Sequence, residues 1–257
     1  MDALLQHLDL IYSYTAFALA YLVGSLSFAV IISRVMGLND PRTYGSKNPG
    51  ATNVLRSGNK LAAVLTLLFD ALKGVAPVLV AEHYAPALGF TQPDSVDTLV
   101  AFVGLAAFIG HLFPVFFKFQ GGKGVATAAG VLLALQPGLG LLTLLVWVAV
   151  AALFRYSSLA SIIAALTAPF FMLMFYDRPV VALAVTIMSL LLLWRHWRNM
   201  VNLMTGRESK LGQKADDSSK RRRRQRRLHD DVKPSGHHHA PSTHSHPSQH
   251  PSQPKEH

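Results

Sequence analysis

The chain contains no cysteine among its 257 residues. Disulfide bonds, thiolate metal sites and a cysteine nucleophile are therefore excluded. Charged residues are also scarce, at 15% of the chain, whereas hydrophobic residues make up 51%. A soluble domain usually carries about 25% charged residues. The composition therefore indicates a membrane protein.

The N-terminus lacks the features of a cleaved signal peptide. It has no basic segment before the first apolar run and no small-residue cleavage site, and it carries Asp2 and Asp9 instead. Signal peptides have both of the missing features. We therefore expect the first apolar run to be retained as a membrane span.

Long apolar runs recur along the chain and predict its fold class. They occupy residues 14–35, 61–80, 99–117, 125–135, 139–154, 159–175 and 180–197. A helix needs about 20 apolar residues to cross the hydrocarbon core, so we predict an all-α polytopic membrane protein with about seven transmembrane helices. The fourth and fifth runs are short, and residues 125–154 could form either two short tilted spans or one re-entrant hairpin.

Charges in the connecting loops predict the orientation of these spans. Basic loops face the cytoplasm, and here they alternate with acidic or neutral ones. The relevant groups are Arg34, Arg42, Lys47, Arg56 and Lys60 after the first span, Glu82, Asp94 and Asp97 after the second, and Arg195, Arg198 and Arg207 at the last. One exception, Arg178, directly follows Asp177 in sequence, which would neutralise it. We predict that the N-terminus lies outside and the C-terminus in the cytoplasm.

The composition changes after Glu208. Residues 209–257 contain a basic run at 220–227 and a segment rich in His, Pro and Ser. Such a segment buries too little apolar surface to fold, so we predict an integral membrane domain at 1–208 and a disordered cytoplasmic tail at 209–257. The basic run favours anionic membrane lipids. No nucleic-acid-binding module accompanies it, and the irregular histidine spacing predicts no metal site.

The first basic loop, residues 44–56, concentrates groups that bind anions. Ser46 and Thr52 supply hydroxyl donors, and glycines let backbone N–H groups converge on an anion. Arg56 can contact two phosphate oxygens at once, and a helix predicted from Ala51 would aim its N-terminus at the ligand. The alternative is an ordinary turn rich in Gly, Asn and Pro. The density of donors favours a phosphate site.

A second glycine-rich segment carries Gly121, Gly122, Lys123 and Gly124 just before another predicted helix. Its spacing is not that of a Walker P-loop, yet free N–H groups and a lysine would bind an anion in the same way. Lys123 alone would be a basic anchor at the cytoplasmic face, and its glycine setting favours the phosphate site. For the nearby His111, a functional role and a satisfied interfacial histidine are equally supported.

Two pairs of polar residues lie within predicted spans. Asp70 and Lys73 are one helical turn apart in the second span, where they form either a functional pair or a neutralised pair inside the bundle. Ser158 and Ser161 open the sixth span, where they either cap the helix or donate to a phosphate.

The last motif lies where the final span meets the cytoplasm. It brings together His196, Asn199 and Glu208. A histidine can move a proton near neutral pH, and a carboxylate can orient it. The neighbouring Arg195 and Arg198 alone would be ordinary anchors at the membrane surface.

Together these segments resemble the bacterial acyl-phosphate:glycerol-3-phosphate acyltransferases. The matching motifs are GSKNPGATNVLR at 45–56, DALKG at 70–74, GHLFPVFFKFQGGKGVAT at 110–127, RYSSLAS at 155–161 and RHWRN…GRE at 195–208. Trp197 and Asn202 stand where that family usually has polar or basic residues. The likeness does not extend into the tail.

The resemblance implies an activity and a location. Members of this family transfer a fatty acyl group from acyl phosphate to the 1-hydroxyl of glycerol 3-phosphate and release lysophosphatidic acid and phosphate. They are seven-span bundles of the bacterial inner membrane with the site at the cytoplasmic face. They use no cofactor, and functional coupling to the enzyme that makes acyl phosphate is expected.

The resemblance also implies roles for individual residues. Ser46, Arg56, Lys123 and His196 would hold glycerol 3-phosphate, whereas the backbone of residues 121–124 would receive the acyl-phosphate anion. The implied catalytic residues are His196, Asn199 and Glu208, and the implied substrate-binding residues are Ser46, Asn48, Gly50, Asn53, Arg56, His111, Gly121, Gly122, Lys123, Gly124, Ser158 and Ser161. The proton acceptor is either a side chain or a substrate phosphate.

Two rival classes fit the composition less well. A transporter would place its polar groups at mid-bilayer in two related halves, whereas here they cluster at one face without a visible repeat. A membrane phosphatase would need a nucleophile or a metal cluster, and the sequence before the tail offers no Asp/His group at ligand spacing. A non-catalytic lipid-binding scaffold leaves the density of phosphate-binding groups unexplained.

Overall fold

The computed structural model describes residues 2–212, with side-chain surroundings from Leu10 onward. Ten α-helices follow one another along this part of the chain: α1 (Asp2–Gly24), α2 (Phe28–Val35), α3 (Ala51–Leu55), α4 (Lys60–Tyr84), α5 (Pro93–Leu112), α6 (Val125–Leu135), α7 (Pro137–Phe154), α8 (Ser157–Phe175), α9 (Pro179–Arg195) and α10 (Trp197–Met204). The predicted disordered tail lies outside the described residues, except for positions 209–212.

The described residues confirm the predicted fold class. They form α-helices and two short 3-10 helices, and no strand occurs among them. Four of the helices are long and apolar enough to cross a membrane, or six if the bent pairs α1–α2 (42°) and α9–α10 (54°) each count as one span. The remaining predicted run, at 125–135, is α6, which has only 11 residues.

Helix α5 forms the centre of the bundle and packs against α1, α4, α6 and α9. Small residues allow its neighbours to approach closely. A side chain at Gly24 of α1 would collide with the backbone carbonyl of Ala107, so this crossing requires glycine. On another side of α5, Val78 of α4 and Val131 of α6 crowd around Gly104. Tight apolar packing therefore fixes α4, α5 and α6 relative to one another.

The short helix α6 nevertheless reaches the far end of the bundle. An 11-residue helix is about 16 Å long, roughly half the thickness of the hydrocarbon core. Gly124 lies beside the ring of Phe108 in α5, so α6 begins already inside the bundle. At its other end, the carbonyl of Leu135 accepts a hydrogen bond of 2.6 Å from Arg178.

Arg178 shows on which side the turn between α6 and α7 lies. Its guanidinium forms a two-point ion pair with Asp97 at the start of α5, at 2.9 and 2.7 Å. The start of α5, the end of α6 and the start of α9 therefore meet at one end of the bundle, opposite His111. Residues 125–154 run to that end and back, which excludes a hairpin that stays near the glycine-rich loop.

The charge of Arg178 is thus balanced by a residue distant in sequence. Asp177 is its neighbour along the chain, but the ion pair is made with Asp97, 81 positions away. The hydrogen bond to Asp97 raises the pKa of Arg178 above its ordinary value. The interpretation that Asp177 neutralises Arg178 is therefore corrected by the structure.

Candidate active site

The first basic loop is shaped by Asn53, which lies in α3 and is only 2% exposed. Its Oδ1 accepts a hydrogen bond of 3.0 Å from the backbone N–H of Ser46. Its Nδ2 donates to the carbonyls of Pro41 at 2.7 Å and Tyr44 at 3.2 Å. Because these bonds occupy the amide, Asn53 holds the loop in shape, and Ser46 is presented next to it.

Five predicted residues of this loop line a single cavity: Ser46, Asn48, Gly50, Asn53 and Arg56. The loop is tied to the start of α8, because the hydroxyls of Thr52 and Ser157 lie 3.2 Å apart. This contact links segments 105 positions apart in sequence. It brings the loop next to the serines of α8.

The glycine-rich loop contributes only part of its length to the same cavity. Lys123 and Gly124 line it, whereas Gly121 and Gly122 pack against the end of α5. The backbone N–H of Gly122 donates to the carbonyl of His111 at 3.2 Å. Gly124 has φ +83° and precedes α6, a left-handed conformation that favours glycine. The structure therefore brings Lys123 and Gly124 to the cavity, and not Gly121 and Gly122.

A chain of hydrogen bonds crosses the cavity from the glycine-rich loop to α8. Nζ of Lys123 donates to Oδ1 of Asn199 at 2.5 Å. Nδ2 of Asn199 donates to Oε1 of Glu208 at 2.7 Å, and the hydroxyl of Ser158 donates to the same oxygen at 2.7 Å. Groups from the second loop, α10, the following segment and α8 thereby form one network.

Glu208 reaches this network because the chain turns back after α10. Its backbone N–H donates to the carbonyl of Asn202 at 3.1 Å. Further on, the N–H of Leu211 donates to the carbonyl of Arg155 at 2.7 Å. The segment is thus fastened across the start of α8, which places the carboxylate beside Ser158.

The environment of Lys123 leaves it ready to bind an anion. Burial, together with the positive charges of Arg56 and Arg195, lowers its pKa to about 8, and the charge of Glu208 acts in the opposite direction. A bound phosphate would favour the charged form. The cavity therefore contains clustered cations that an anionic ligand would stabilise.

His196 is buried at the junction of α9 and α10, with 2% of its surface exposed. Its Nδ1 lies 2.9 Å from the carbonyl of Leu192. A carbonyl can only accept, so Nδ1 carries the proton in this contact, and a neutral ring has its lone pair on Nε2. His196 lines the cavity, where Nε2 is the nitrogen available to accept a proton.

His111 belongs to a buried polar cluster beside the cavity. Its Nδ1 lies 3.2 Å from the hydroxyl of Thr127 and 3.7 Å from the carboxylate of Asp70. Asp70 pairs with Lys73 at 2.8 Å, and Lys73 also donates to the carbonyl of Leu26 at 2.6 Å. These contacts support the interpretation of Asp70 and Lys73 as a neutralised pair inside the bundle. His111 and Asp70 both line the edge of the cavity.

Ser161 has an internal partner that sequence patterns did not reveal. Its hydroxyl accepts a bond of 3.0 Å from the indole N–H of Trp147 and donates to the carbonyl of Ser157 at 2.8 Å. Ser161 and Trp147 line both the cavity described above, here called the polar cavity, and a neighbouring cavity, here called the apolar cavity. Trp147 lies mid-way along an apolar run, where nothing in its sequence distinguishes it from a lipid-facing residue.

The polar cavity has a volume of about 550 Å³, and the apolar one about 150 Å³. They share Leu67, Val125, Ala126, Trp147 and Ser161, so they adjoin each other. Within the described part of the chain, no three His, Cys, Asp or Glu side chains lie close enough to hold a metal ion. The fold and the site thus define a multi-pass membrane protein with a cationic, hydroxyl-rich cavity beside an apolar one.

Comparison with known proteins identifies the family. Residues 14–206 match the family described as glycerol-3-phosphate acyltransferase. A glycerol-3-phosphate acyltransferase of Paraburkholderia phytofirmans is 58% identical over 195 residues, which cover 76% of this chain and 89% of the relative. One from Burkholderia cenocepacia is 59% identical over 198 residues, covering 76% and 89%. The chain therefore belongs to the glycerol-3-phosphate acyltransferase family, which confirms the predicted resemblance.

Solved structures show the same fold. The crystal structure of PlsY (YgiH), an integral membrane glycerol 3-phosphate acyltransferase, in its glycerol 3-phosphate form is 38% identical, with a TM-score of 0.71. That similarity covers 78% of this chain and 96% of the crystallised one. The lysophosphatidic acid form is 37% identical, with a TM-score of 0.69 and coverage of 77% and 95%.

Proposed function

We propose that this chain transfers an acyl group from acyl phosphate to the 1-hydroxyl of glycerol 3-phosphate. The observation that carries the proposal is the convergence of Arg56, Lys123, His196, Asn199 and Glu208 on one cavity. These residues come from four separate parts of the chain. The family and the two crystallised forms of PlsY support glycerol 3-phosphate as the acceptor.

Glycerol 3-phosphate would be held by its phosphate and oriented by its hydroxyls. Lys123 and Arg56 provide the cations that a phosphate requires. Asn199 and Glu208 offer an amide and a carboxylate to the glycerol hydroxyls, next to the ammonium of Lys123. The substrate would thus be fixed at both ends, which leaves its 1-hydroxyl in a defined position.

Acyl phosphate would occupy both cavities. The carboxyl end of its chain would lie in the apolar cavity, which is lined by α4, α6, α7, α8 and α9. Ser46 would help to hold glycerol 3-phosphate. The phosphate of acyl phosphate would lie where the cavities meet, near the N-terminus of α6 at Gly124, because helix N-termini bind phosphate. Asn48, Gly50 and Ser158 would line the polar side of this site, with Asn53 supporting Ser46.

The transfer requires no covalent enzyme intermediate. The 1-hydroxyl oxygen attacks the carbonyl carbon of acyl phosphate, a new ester C–O bond forms, and the bond from that carbon to the phosphate oxygen breaks. Inorganic phosphate leaves with the bonding electron pair. The hydroxyl proton goes either to Nε2 of His196 or to the departing phosphate. Aligned reactants can gain roughly 7–11 kcal/mol from proximity alone.

The site would face the cytoplasm of the bacterial inner membrane, where acyl phosphate would be supplied by the enzyme that makes it. Basic residues lie at the end of the bundle that carries the cavity, whereas Glu82, Asp94 and Asp97 lie at the other end. This distribution supports an outside N-terminus and a cytoplasmic C-terminus. A C-terminal tag accessible only from the cytoplasm, together with an N-terminal tag accessible only from outside, would agree. Both tags on one side would contradict the orientation.

A comparison of acyl donors tests the proposed reaction. Purified protein is given glycerol 3-phosphate with acyl phosphate, acyl-CoA or acyl carrier protein carrying the same chain. We expect lysophosphatidic acid and inorganic phosphate in equal amounts with acyl phosphate, and Lys123→Ala serves as the control with impaired activity. Equal or faster product formation from either thioester would contradict the proposed donor.

A further inference from the structure

Arg195, at the end of α9, contacts the glycine-rich loop directly. Its Nε donates to the carbonyl of Gly122 at 3.0 Å, and its Nη2 donates to the carbonyl of Gly121 at 2.7 Å. The guanidinium also lies 6.0 Å from the ring centre of Phe113 and 5.9 Å from that of Trp194. Arg195 is not among the residues that line the cavity.

The loop is therefore held from two sides. On one side Arg195 of α9 binds two successive carbonyls, and on the other the carbonyl of His111 in α5 accepts the N–H of Gly122. The next residue, Lys123, extends to Asn199 in the cavity. A glycine pair has many accessible backbone conformations, so the position of Lys123 depends on what fixes Gly121 and Gly122.

We propose that Arg195 is a positioning residue for phosphate binding, which clamps the Gly121–Gly122 backbone and thereby places the ammonium of Lys123 in the cavity. This inference rests on the proposed function, since it concerns the same anion site. A planar guanidinium suits this task because its Nε and Nη2 donors point in parallel toward neighbouring acceptors. A lysine ammonium donates from a single nitrogen and cannot reproduce these two parallel bonds.

Arg195 also acts on Lys123 through its charge. The charged and titratable groups that face Lys123 are Glu208, Arg56, Arg195 and His196. Burial is the main cause that lowers the pKa of Lys123 to about 8, and Arg195 is one of two cations that add to this effect. Removing the charge of Arg195 should therefore raise the pKa of Lys123.

Two substitutions separate the clamp from the charge. Arg195→Lys keeps the charge and loses the two-point contact, whereas Arg195→Gln loses both. The alternative is that Arg195 is a surface anchor that packs on Phe113 and Trp194, in which case neither substitution changes the position of Lys123. Arg198→Gln is the matched control, because Arg198 is exposed and lies only three residues further along.

The experiment measures Lys123 itself as well as turnover. Competitive acetylation with mass spectrometry, over a range of pH, reports the midpoint at which Lys123 becomes reactive and does not require an active enzyme. Folding of each variant is checked by size exclusion in detergent. The steady-state kcat/KM for glycerol 3-phosphate is measured in parallel.

We expect wild type and Arg198→Gln to titrate near pH 8. Both Arg195 variants should titrate at higher pH, because each releases Lys123 from its buried position, and Arg195→Gln should shift further since it also removes a cation. Both Arg195 variants should lose roughly tenfold or more in kcat/KM, as expected for one or two lost charge-assisted bonds. A midpoint of Arg195→Lys equal to that of wild type, or kcat/KM within twofold of wild type in both variants, would overturn the proposal. If the midpoints are as expected but the protein does not use acyl phosphate, the result would contradict the proposed donor. The effect of the Arg195 charge on the pKa of Lys123 would still hold.

Discussion

Replacing Glu208 by glutamine is expected to weaken the site through charge while its shape is kept. Oε1 of Glu208 accepts bonds from Ser158 and Asn199, each at 2.7 Å. The amide oxygen of a glutamine can accept both bonds in the same places. The network from Lys123 to Ser158 therefore stays connected, and only the negative charge is removed.

The magnitude follows from the two bonds and from Lys123. A hydrogen bond to a charged group contributes roughly 1.5–3 kcal/mol and a neutral one roughly 0.5–1.5 kcal/mol, so converting two bonds costs on the order of 2 kcal/mol. This corresponds to roughly 30-fold in kcat/KM. The charge of Glu208 also holds up the pKa of Lys123, which lies at about 8. Without it, that pKa falls below 8.

The pH profile of kcat/KM for glycerol 3-phosphate measures this change, because it reports groups of the free enzyme. Lys123 binds phosphate in its cationic form, so in the wild type kcat/KM should be constant below the pKa of about 8 and fall above it. Glu208→Gln should move this alkaline limb to lower pH. Glu82→Gln, at the opposite end of the bundle, is the control. A limb that stays in place, with kcat/KM within twofold of wild type, would refute the reasoning.

Four further substitutions test other parts of the structure. Lys123→Ala should lower kcat/KM roughly 10- to 150-fold without loss of folded protein, as expected for one charge-assisted bond of roughly 1.5–3 kcal/mol, and the alkaline limb should disappear. Arg56→Lys should raise KM for glycerol 3-phosphate with little effect on KM for acyl phosphate. The double mutant Arg56→Lys/His196→Ala should lose less transition-state stabilisation than the sum of the two single losses. Strict additivity would place Arg56 and His196 at different sites. Arg178→Gln should lower the free energy of unfolding by roughly 2 kcal/mol, because it removes the ion pair with Asp97, while KM for both substrates stays unchanged. A changed KM would show that the far end of the bundle is coupled to the cavity.

Much of the fold was predictable because hydrophobic runs and loops carry local signals. The run at 125–135 coincides with α6, since glycine precedes it and Gln136 and a proline follow. The hydroxyls, amides and cations of the first loop also indicated a shared site, and the structure places Ser46 and Arg56 in one cavity. These predictions depended on residue types and spacing within a few turns.

Other features depend on contacts between segments that are distant in sequence, and residue spacing does not predict these contacts. The partner of Arg178 is Asp97 and not the adjacent Asp177. Gly121 belongs to a motif that suggests an anion cradle, yet its carbonyl is bound by Arg195. Asn53 was expected among substrate contacts and lines the cavity, yet its amide is also hydrogen-bonded to the loop backbone, which its sequence position does not indicate. Such assignments require knowledge of which helices are neighbours.

The residues that hold the loops matter for rate more than their distance from the reacting atoms suggests. In the proposed reaction two phosphate-bearing substrates become one phosphate-bearing lipid and one free phosphate, so the phosphate charge that Lys123 and Arg56 bind is nearly conserved. Groups that bind substrates and transition state equally do not raise kcat. Apart from proton transfer and the stabilisation of charge that develops on the carbonyl oxygen, acceleration must then come from alignment. In this structure Asn53 fixes the first loop and Arg195 fixes the second, so alignment rests on two side chains whose polar groups are occupied by backbone.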